Sequence, residues 1–162
     1  MEPEIVTPCQ NSPMAAKPPY DDLVMDHIRN ARNFRVPEDA NRQSQGANPL
    51  CGDEVTVYLR LNAGSIEEAA FQCSCCGISM ASASMLTESI VGRSTEEARS
   101  QVSLVIGLIG SPGTPAAAPP EEWLAALLAT AREFPTRAGC ATLPWITLDA
   151  ALDGRPVAVA GP

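Results

Sequence analysis

Between Glu54 and Leu61 the chain alternates: Val55, Val57, Leu59 and Leu61 fall on one side of an extended backbone, and Thr56, Tyr58 and Arg60 fall on the other. A period of two over eight residues is the signature of a half-buried strand. Asn62-Ala63-Gly64 then reads as a turn, and Ile66–Gln72 as the returning strand of a hairpin. Past Cys76 the period changes. The run from Ile78 to Val91 is rich in Ala and Ser, with Ile78, Ala81, Met85 and Ile90 near one face, and Gly92 follows in the place of a C′ glycine. A hairpin that feeds directly into a closely packed helix predicts a sheet with helices covering one face.

The remaining segments extend that pattern. Tyr20, Leu23, Val24, His27, Ile28 and Ala31 recur at helical spacing, whereas 33–49 is polar and irregular and reads as a long loop. Ser94-Thr95-Glu96-Glu97 is a capping-box signature, 110–120 is a Pro/Ala/Gly-rich loop, and Pro119-Pro120-Glu121-Glu122 opens a helix running to about Arg132. A last helix is expected from Gly139-Cys140 to Leu152, stopping at Gly154 and bent locally by Pro144. The expected fold class is α+β, a small antiparallel β-sheet packed against helices in a sandwich. One domain over 19–153 is expected between a flexible N-terminal tail, 1–18, and a frayed C-terminal tail, 154–162.

The 162 residues are 45% hydrophobic and 19% charged, a globular balance. Nineteen acids against eleven bases give a net charge of -8, which argues against nucleic-acid binding and against adhesion to anionic membranes. The longest apolar stretch, 104–109, is far short of the roughly 20 residues that span a bilayer. Met1-Glu2-Pro3-Glu4 leads into no apolar run, so no secretory signal is expected and the expected location is cytoplasmic. In that compartment six cysteines read as metal ligands or reactive thiols before disulfides.

Three of the thiols sit where chemistry is usually sited. Cys51 lies in a loop just before the alternating strand, Cys76 between the second strand and the small-residue helix, and Cys140 at the start of the last helix. A helix N-terminus lowers a thiol's pKa, which predisposes Cys76 and Cys140 to be thiolates. Asp53, two residues beyond Cys51, can add a carboxylate oxygen to the same centre. Three thiolates and one carboxylate suit tetrahedral Zn²⁺; the other reading is that these cysteines are small buried apolar side chains. His27 is the only histidine and reads as a packed side chain on its helix, and Cys9 lies in the Pro-rich tail with no role assigned.

Asn48-Pro49-Leu50-Cys51-Gly52-Asp53, the run from Cys76 to Met85, and Arg137-Ala138-Gly139-Cys140-Ala141-Thr142-Leu143 together resemble the signatures of the U-type iron–sulfur assembly proteins, the IscU/NifU-like family. Asp26–Asn33 resembles that family's first helix, and the likeness covers most of 20–152. Scaffold members usually carry a His before the last Cys, where this chain has Gly139. The SufU branch has an insertion between the second and third ligand cysteines, for which 93–136 is long enough, and an Arg upstream of the last Cys, here Arg137. The chain is therefore most similar to that branch.

The resemblance implies a zinc protein that takes sulfur from a pyridoxal-phosphate cysteine desulfurase of the SufS type and passes it to downstream iron–sulfur assembly machinery. Cys51, Asp53, Cys76 and Cys140 would be the zinc ligands. Cys51 would also be the persulfide acceptor, displaced from zinc when the partner docks. Arg137 would stabilise thiolate or persulfide charge, or be an ordinary surface arginine. The alternative function is a scaffold that builds a transient Fe–S cluster on the same cysteines, and a third is a purely structural zinc module. Cys73 and Cys75 stand where the family usually has glycines, as tolerated small residues, an alternative ligand or a second sulfur holder. Ala31 and Pro144 also depart from the family pattern and bear on local helix geometry.

Overall fold

The computed structural model describes residues 20–110 and 121–159. The expected 1–18 tail with Cys9, most of the 110–120 loop, and the last three residues lie outside them. The elements run α1 (Asp22–Arg29), β1 (Arg42–Asn48), β2 (Asp53–Asn62), β3 (Ser65–Ser74), α2 (Gly77–Ile90), α3 (Thr95–Gly110), α4 (Glu122–Glu133), α5 (Ala138–Leu152) and β4 (Val157–Val159). The sheet order is β3-β2-β1-β4. The β1–β2 and β2–β3 pairs are antiparallel, and β4 lies parallel to β1. The fold is α+β as expected, but the sheet is mixed rather than wholly antiparallel.

The hairpin forms where the alternation places it. Val57 stands opposite Phe71 and Leu59 opposite Ala69, and the inward Val55, Val57 and Leu59 are fully buried. Ala63 and Gly64 both take positive φ, the two-residue turn whose twist matches its strands. At Ser94 the capping box closes in both directions: the Glu97 N–H donates to Ser94 Oγ and the Ser94 N–H donates to Glu97 Oε1, each at 3.0 Å.

Two strands correct the sequence reading. The 33–49 segment is not all loop, because β1 occupies Arg42–Asn48; residues 154–162 are not all tail, because β4 occupies Val157–Val159. In β1 the inward positions are Ser44, Gly46 and Asn48, so no apolar alternation announces it. Those positions are small because α5 lies directly on them. A Cβ on Gly46 would fall 2.0 Å from Thr147 Oγ1. β4 is three residues long and is held by β1, with the Gln45 N–H donating to the Pro156 carbonyl at 2.9 Å.

α2 and α5 form the interior of the helical layer. Both are buried on nearly every side, and α5 packs on β1, β2, α2 and α3. The buried serines of α2 each find a partner. Ser82 Oγ donates to the Ala141 carbonyl at 2.6 Å and accepts from Trp145 Nε1 at 3.0 Å, and Ser84 Oγ lies 2.7 Å from His27 Nδ1 and accepts the Arg32 N–H. The 93–136 segment supplies α3 and α4. Ala98, Val102, Val105 and Ile109 line the buried face of α3, and Trp123 of α4 stacks on Trp145, ring centroids 5.7 Å apart.

Two predictions follow from this packing. Gly46→Ala is expected to cost about 1–3 kcal/mol, because Thr147 sits in a packed core and can yield only by displacing its neighbours; urea denaturation checks it. His27, 3% exposed, has its pKa held below the ordinary value chiefly by burial and then by Arg32, against the opposing pull of Glu88 and Asp26. The unfolded chain therefore binds a proton near pH 6.5 that the folded chain refuses, so stability falls as pH drops below about 6.5. Asp26, Glu68 and Asp153 are held below the usual carboxylate range, chiefly by hydrogen bonds from Arg32, Arg35 and Arg99, and titrate lower still. Unfolding titrations from pH 7 to 5 should show a shallower loss in His27→Gln than in the wild type.

Candidate metal centre

The β1–β2 connection is a tight turn built on Asn48. Its carbonyl accepts the Gly52 N–H at 2.8 Å and the Cys51 N–H at 3.3 Å, and its side-chain Oδ1 accepts the Leu50 N–H at 3.1 Å. Gly52 closes the turn with φ +77, a conformation that a side chain resists. The turn holds Cys51 exposed at its tip, next to Leu50, which is 84% exposed. Asn48 is itself buried, and its Nδ2 lies 3.0 Å from where a Cβ on Gly139 would stand.

Asp53, the first residue of β2, turns into the protein and is buried. Its Oδ1 accepts the Cys76 N–H at 3.1 Å, one of the amides that the first turn of α2 leaves unpaired. Its Oδ2 lies 2.8 Å from Ser79 Oγ, and the same hydroxyl lies 2.8 Å from the Cys140 carbonyl. That carbonyl needs an outside donor because the residue four positions on, Pro144, has no N–H to give it. The departure at Pro144 is thus matched by Ser79. The one sequence signal for Ser79 is its place three residues after Cys76, the N-cap of α2.

The thiols converge on this carboxylate. Cys51 Sγ and Cys140 Sγ are 3.3 Å apart, and ligand atoms of Cys51, Asp53 and Cys140 all lie within 4.8 Å of one another. Cys76, at the N-terminus of α2, is outside that trio and is tied to it by its N–H on Asp53, with its Sγ 4.0 Å from Ser79 Oγ. The neighbouring Cys140 thiol, aided by the amides of Ser79 and Ile78, draws the Cys76 thiol down to about 6 against the opposing effect of burial. The Cys76 thiol, followed by burial, pushes Cys140 up, so the helix start favours a thiolate at Cys76 but, against the sequence expectation, not at Cys140.

A tetrahedral zinc with Zn–S bonds near 2.3 Å spaces its sulfurs about 3.7 Å apart, so Cys51 and Cys140, at 3.3 Å, need to part by only a few tenths of an ångström to share such an ion. The carboxylate fits as well. Ser79 has one proton for two acceptors, and a cation at Asp53 would let that proton go to the Cys140 carbonyl.

The other expected residues are accounted for. Arg137 precedes α5 and lies three residues before Cys140. Cys73 and Cys75 are joined as a disulfide and are not among the clustered ligand atoms, which corrects the expectation of thiols throughout. Cys51, Cys76 and Cys140 are the free cysteines among the described residues. His27 is packed against Ser84, away from any such cluster.

An α+β domain with cysteines from a turn and two helix starts gathered around a buried aspartate defines a compact thiol–carboxylate centre. Residues 19–141 match the NifU-like N terminal domain. The chain is 34% identical over 130 residues to the zinc-dependent sulfurtransferase SufU of Bacillus subtilis, covering 80% of this chain and 86% of that one. It is 36% identical over 133 residues to the iron–sulfur cluster assembly scaffold protein IscU of Streptococcus pyogenes, covering 82% of each. The crystal structure of an iron–sulfur cluster assembly scaffold protein for the SUF system from Fervidobacterium islandicum matches with TM-score 0.71 and 28% identity, over 83% of this chain and 96% of that one. The chain belongs to the NifU-like N-terminal domain family, with the SufU- and IscU-like iron–sulfur cluster assembly proteins.

Asn48→Ala should loosen the Cys51 turn by removing a buried acceptor for the Leu50 N–H. The expected loss is about 1–2 kcal/mol of stability in chemical denaturation, together with faster amide exchange at Leu50 than in the wild type.

Proposed function

We propose that this protein accepts sulfur from a pyridoxal-phosphate cysteine desulfurase of the SufS type and delivers it to iron–sulfur cluster assembly. The observation that carries this reading is the contrast within the centre: Cys51 is exposed on a turn, while Cys140 and Asp53 are buried behind it. One thiol can be visited by a partner while the others stay fixed. The exposed Leu50 beside it gives a protein donor an apolar contact that a small-molecule donor would not need.

Cys51, Asp53, Cys76 and Cys140 would hold the zinc, which when bound keeps its cysteine ligands deprotonated at neutral pH. The transfer itself needs only thiolate chemistry. The Cys51 thiolate attacks the outer sulfur of the partner's persulfide, the S–S bond breaks, and the partner's cysteine leaves as a thiolate. Cys51 ends as the persulfide, with no net change in charge or oxidation level. Arg137, one turn ahead of Cys140, offers positive charge to the transferred sulfur. This chemistry suits the cytoplasm, and among the described residues no helix is long and apolar enough to cross a membrane.

The second reading, a scaffold for a transient Fe–S cluster on the same cysteines, is supported by the name of the Streptococcus relative. Against it, the residue before Cys140 is Gly139, which has no side chain to act as a ligand.

Native mass spectrometry separates the two. The sulfurtransferase reading predicts one zinc per chain and one sulfur added to Cys51 after incubation with a cysteine desulfurase and cysteine, with Cys51→Ser taking up none. Bound iron and sulfide in place of zinc would favour the scaffold.

A further inference from the structure

The Cys73–Cys75 pair has no part in the transfer described above, and its placement gives it a use. In the β2–β3 ladder Cys73 stands opposite Val55 and Ser74 opposite Glu54. Cys75, one residue beyond the strand, is bridged to Cys73 and packs with it against the core on the side of the buried Val55. Cys73 Sγ lies 4.0 Å from Met80 Sδ in the first turns of α2, and both cysteines are partly buried against the core that α2 and α5 share. The next residue, Cys76, has its N–H on Asp53, whose carboxylate clusters with Cys51.

The bridge is poorly suited to be a structural staple. A disulfide stabilises mainly by closing a loop in the unfolded chain, and one between residues two apart closes almost none. Both cysteines also retain solvent exposure, and accessible disulfides exchange with thiols. A closely spaced, accessible pair, one residue from the Cys76 whose N–H is held by the Asp53 clustered with Cys51, has the attributes of a redox couple.

We propose that Cys73 and Cys75 in their reduced form discharge the sulfur carried by Cys51, releasing it as sulfide. This inference rests on Cys51 being the persulfide acceptor. One thiolate of the pair attacks the outer sulfur of the Cys51 persulfide; that S–S bond breaks, Cys51 leaves as a thiolate, and the sulfur passes to the pair. The second thiol of the pair then attacks the first cysteine's own sulfur and expels hydrosulfide, forming the Cys73–Cys75 disulfide. In sum, a persulfide anion and two thiols become a thiolate, a disulfide and hydrogen sulfide: the pair loses two electrons and the transferred sulfur gains them. A dithiol reductant, protein or small molecule, returns the disulfide to the dithiol for the next round. The bridged pair in the structure is the state after discharge.

The test is a single turnover without free thiols. Full-length wild type and Cys73→Ser/Cys75→Ser are reduced, desalted, charged by an immobilised cysteine desulfurase with cysteine, freed of the resin and desalted again, and followed by peptide-mapped mass spectrometry and a sulfide assay. Both proteins should first carry one extra sulfur on Cys51. The wild type should then lose it, release one sulfide per chain and convert Cys73 and Cys75 from alkylatable thiols to a disulfide in step. The variant should retain its sulfur, with release slowed at least about tenfold.

Equal release from both proteins, or release from the wild type while Cys73 and Cys75 stay alkylatable, overturns the inference and leaves the acceptor reading standing. No sulfur on Cys51 in either protein overturns the acceptor reading and this inference together. The alkylation time course needs only the wild type, so a misfolded variant does not spoil the test.

Discussion

The buried carboxylate of Asp53 is the interaction on which the rest of the centre depends. It joins the start of β2 to the start of α2 through the Cys76 N–H, and through Ser79 it reaches the carbonyl of Cys140 at the start of α5. Each contact answers a specific backbone or charge requirement. A helix start leaves amides unpaired, Pro144 leaves a carbonyl unpaired, and a buried carboxylate needs donors. Because every member lies in a region shielded from water, these hydrogen bonds are strong and a missing one would be costly. The three elements therefore meet in one arrangement, and two of the free thiols, Cys76 and Cys140, are carried on it.

The small residues of α2 make that meeting possible. Ser79, Ser82 and Ser84 are fully buried, and each hydroxyl reaches a different neighbour, at α5 or next to α1. Larger side chains would hold those elements further apart, and Gly77 already brings α2 close to Ile28 of α1. Close approach and polar satisfaction act together here: the hydroxyls both permit the short spacing and specify its register. Against this fixed base the Cys51 turn is the one exposed part of the centre, braced by a single buried Asn48. Fixed side chains behind an accessible thiol are what a centre needs if its outermost sulfur is to react while its inner geometry stays unchanged.

Much of the site was legible because its residues sit at the ends of strongly patterned elements. The alternation of β2, the small-residue run of α2 and the capping box of α3 fixed where Cys51, Cys76 and Asp53 must fall along the chain. Two strands carry no such pattern, each for its own physical reason. β1 faces a helix so close that Ser44, Gly46 and Asn48 replace the usual apolar residues, and β4 is too short to show a period. The donor to the Cys140 carbonyl was equally hidden, since nothing near Pro144 in sequence says that Ser79 will stand in for the N–H that Pro144 lacks.

By itself, then, the sequence determined the α+β class, the hairpin, the principal helices, and a set of thiols placed at a turn and at helix starts. Those features depend on local periodicity and capping, which a few neighbouring residues specify. Only the tertiary structure decided that Cys51 and Cys140, 89 residues apart, stand 3.3 Å from each other; that Cys76 is tied in through Asp53; and that Cys73 and Cys75 pair together at the end of the neighbouring strand. Such contacts depend on how closely elements pack and which buried polar groups each leaves for another to satisfy, and these are properties of the assembled core rather than of any segment.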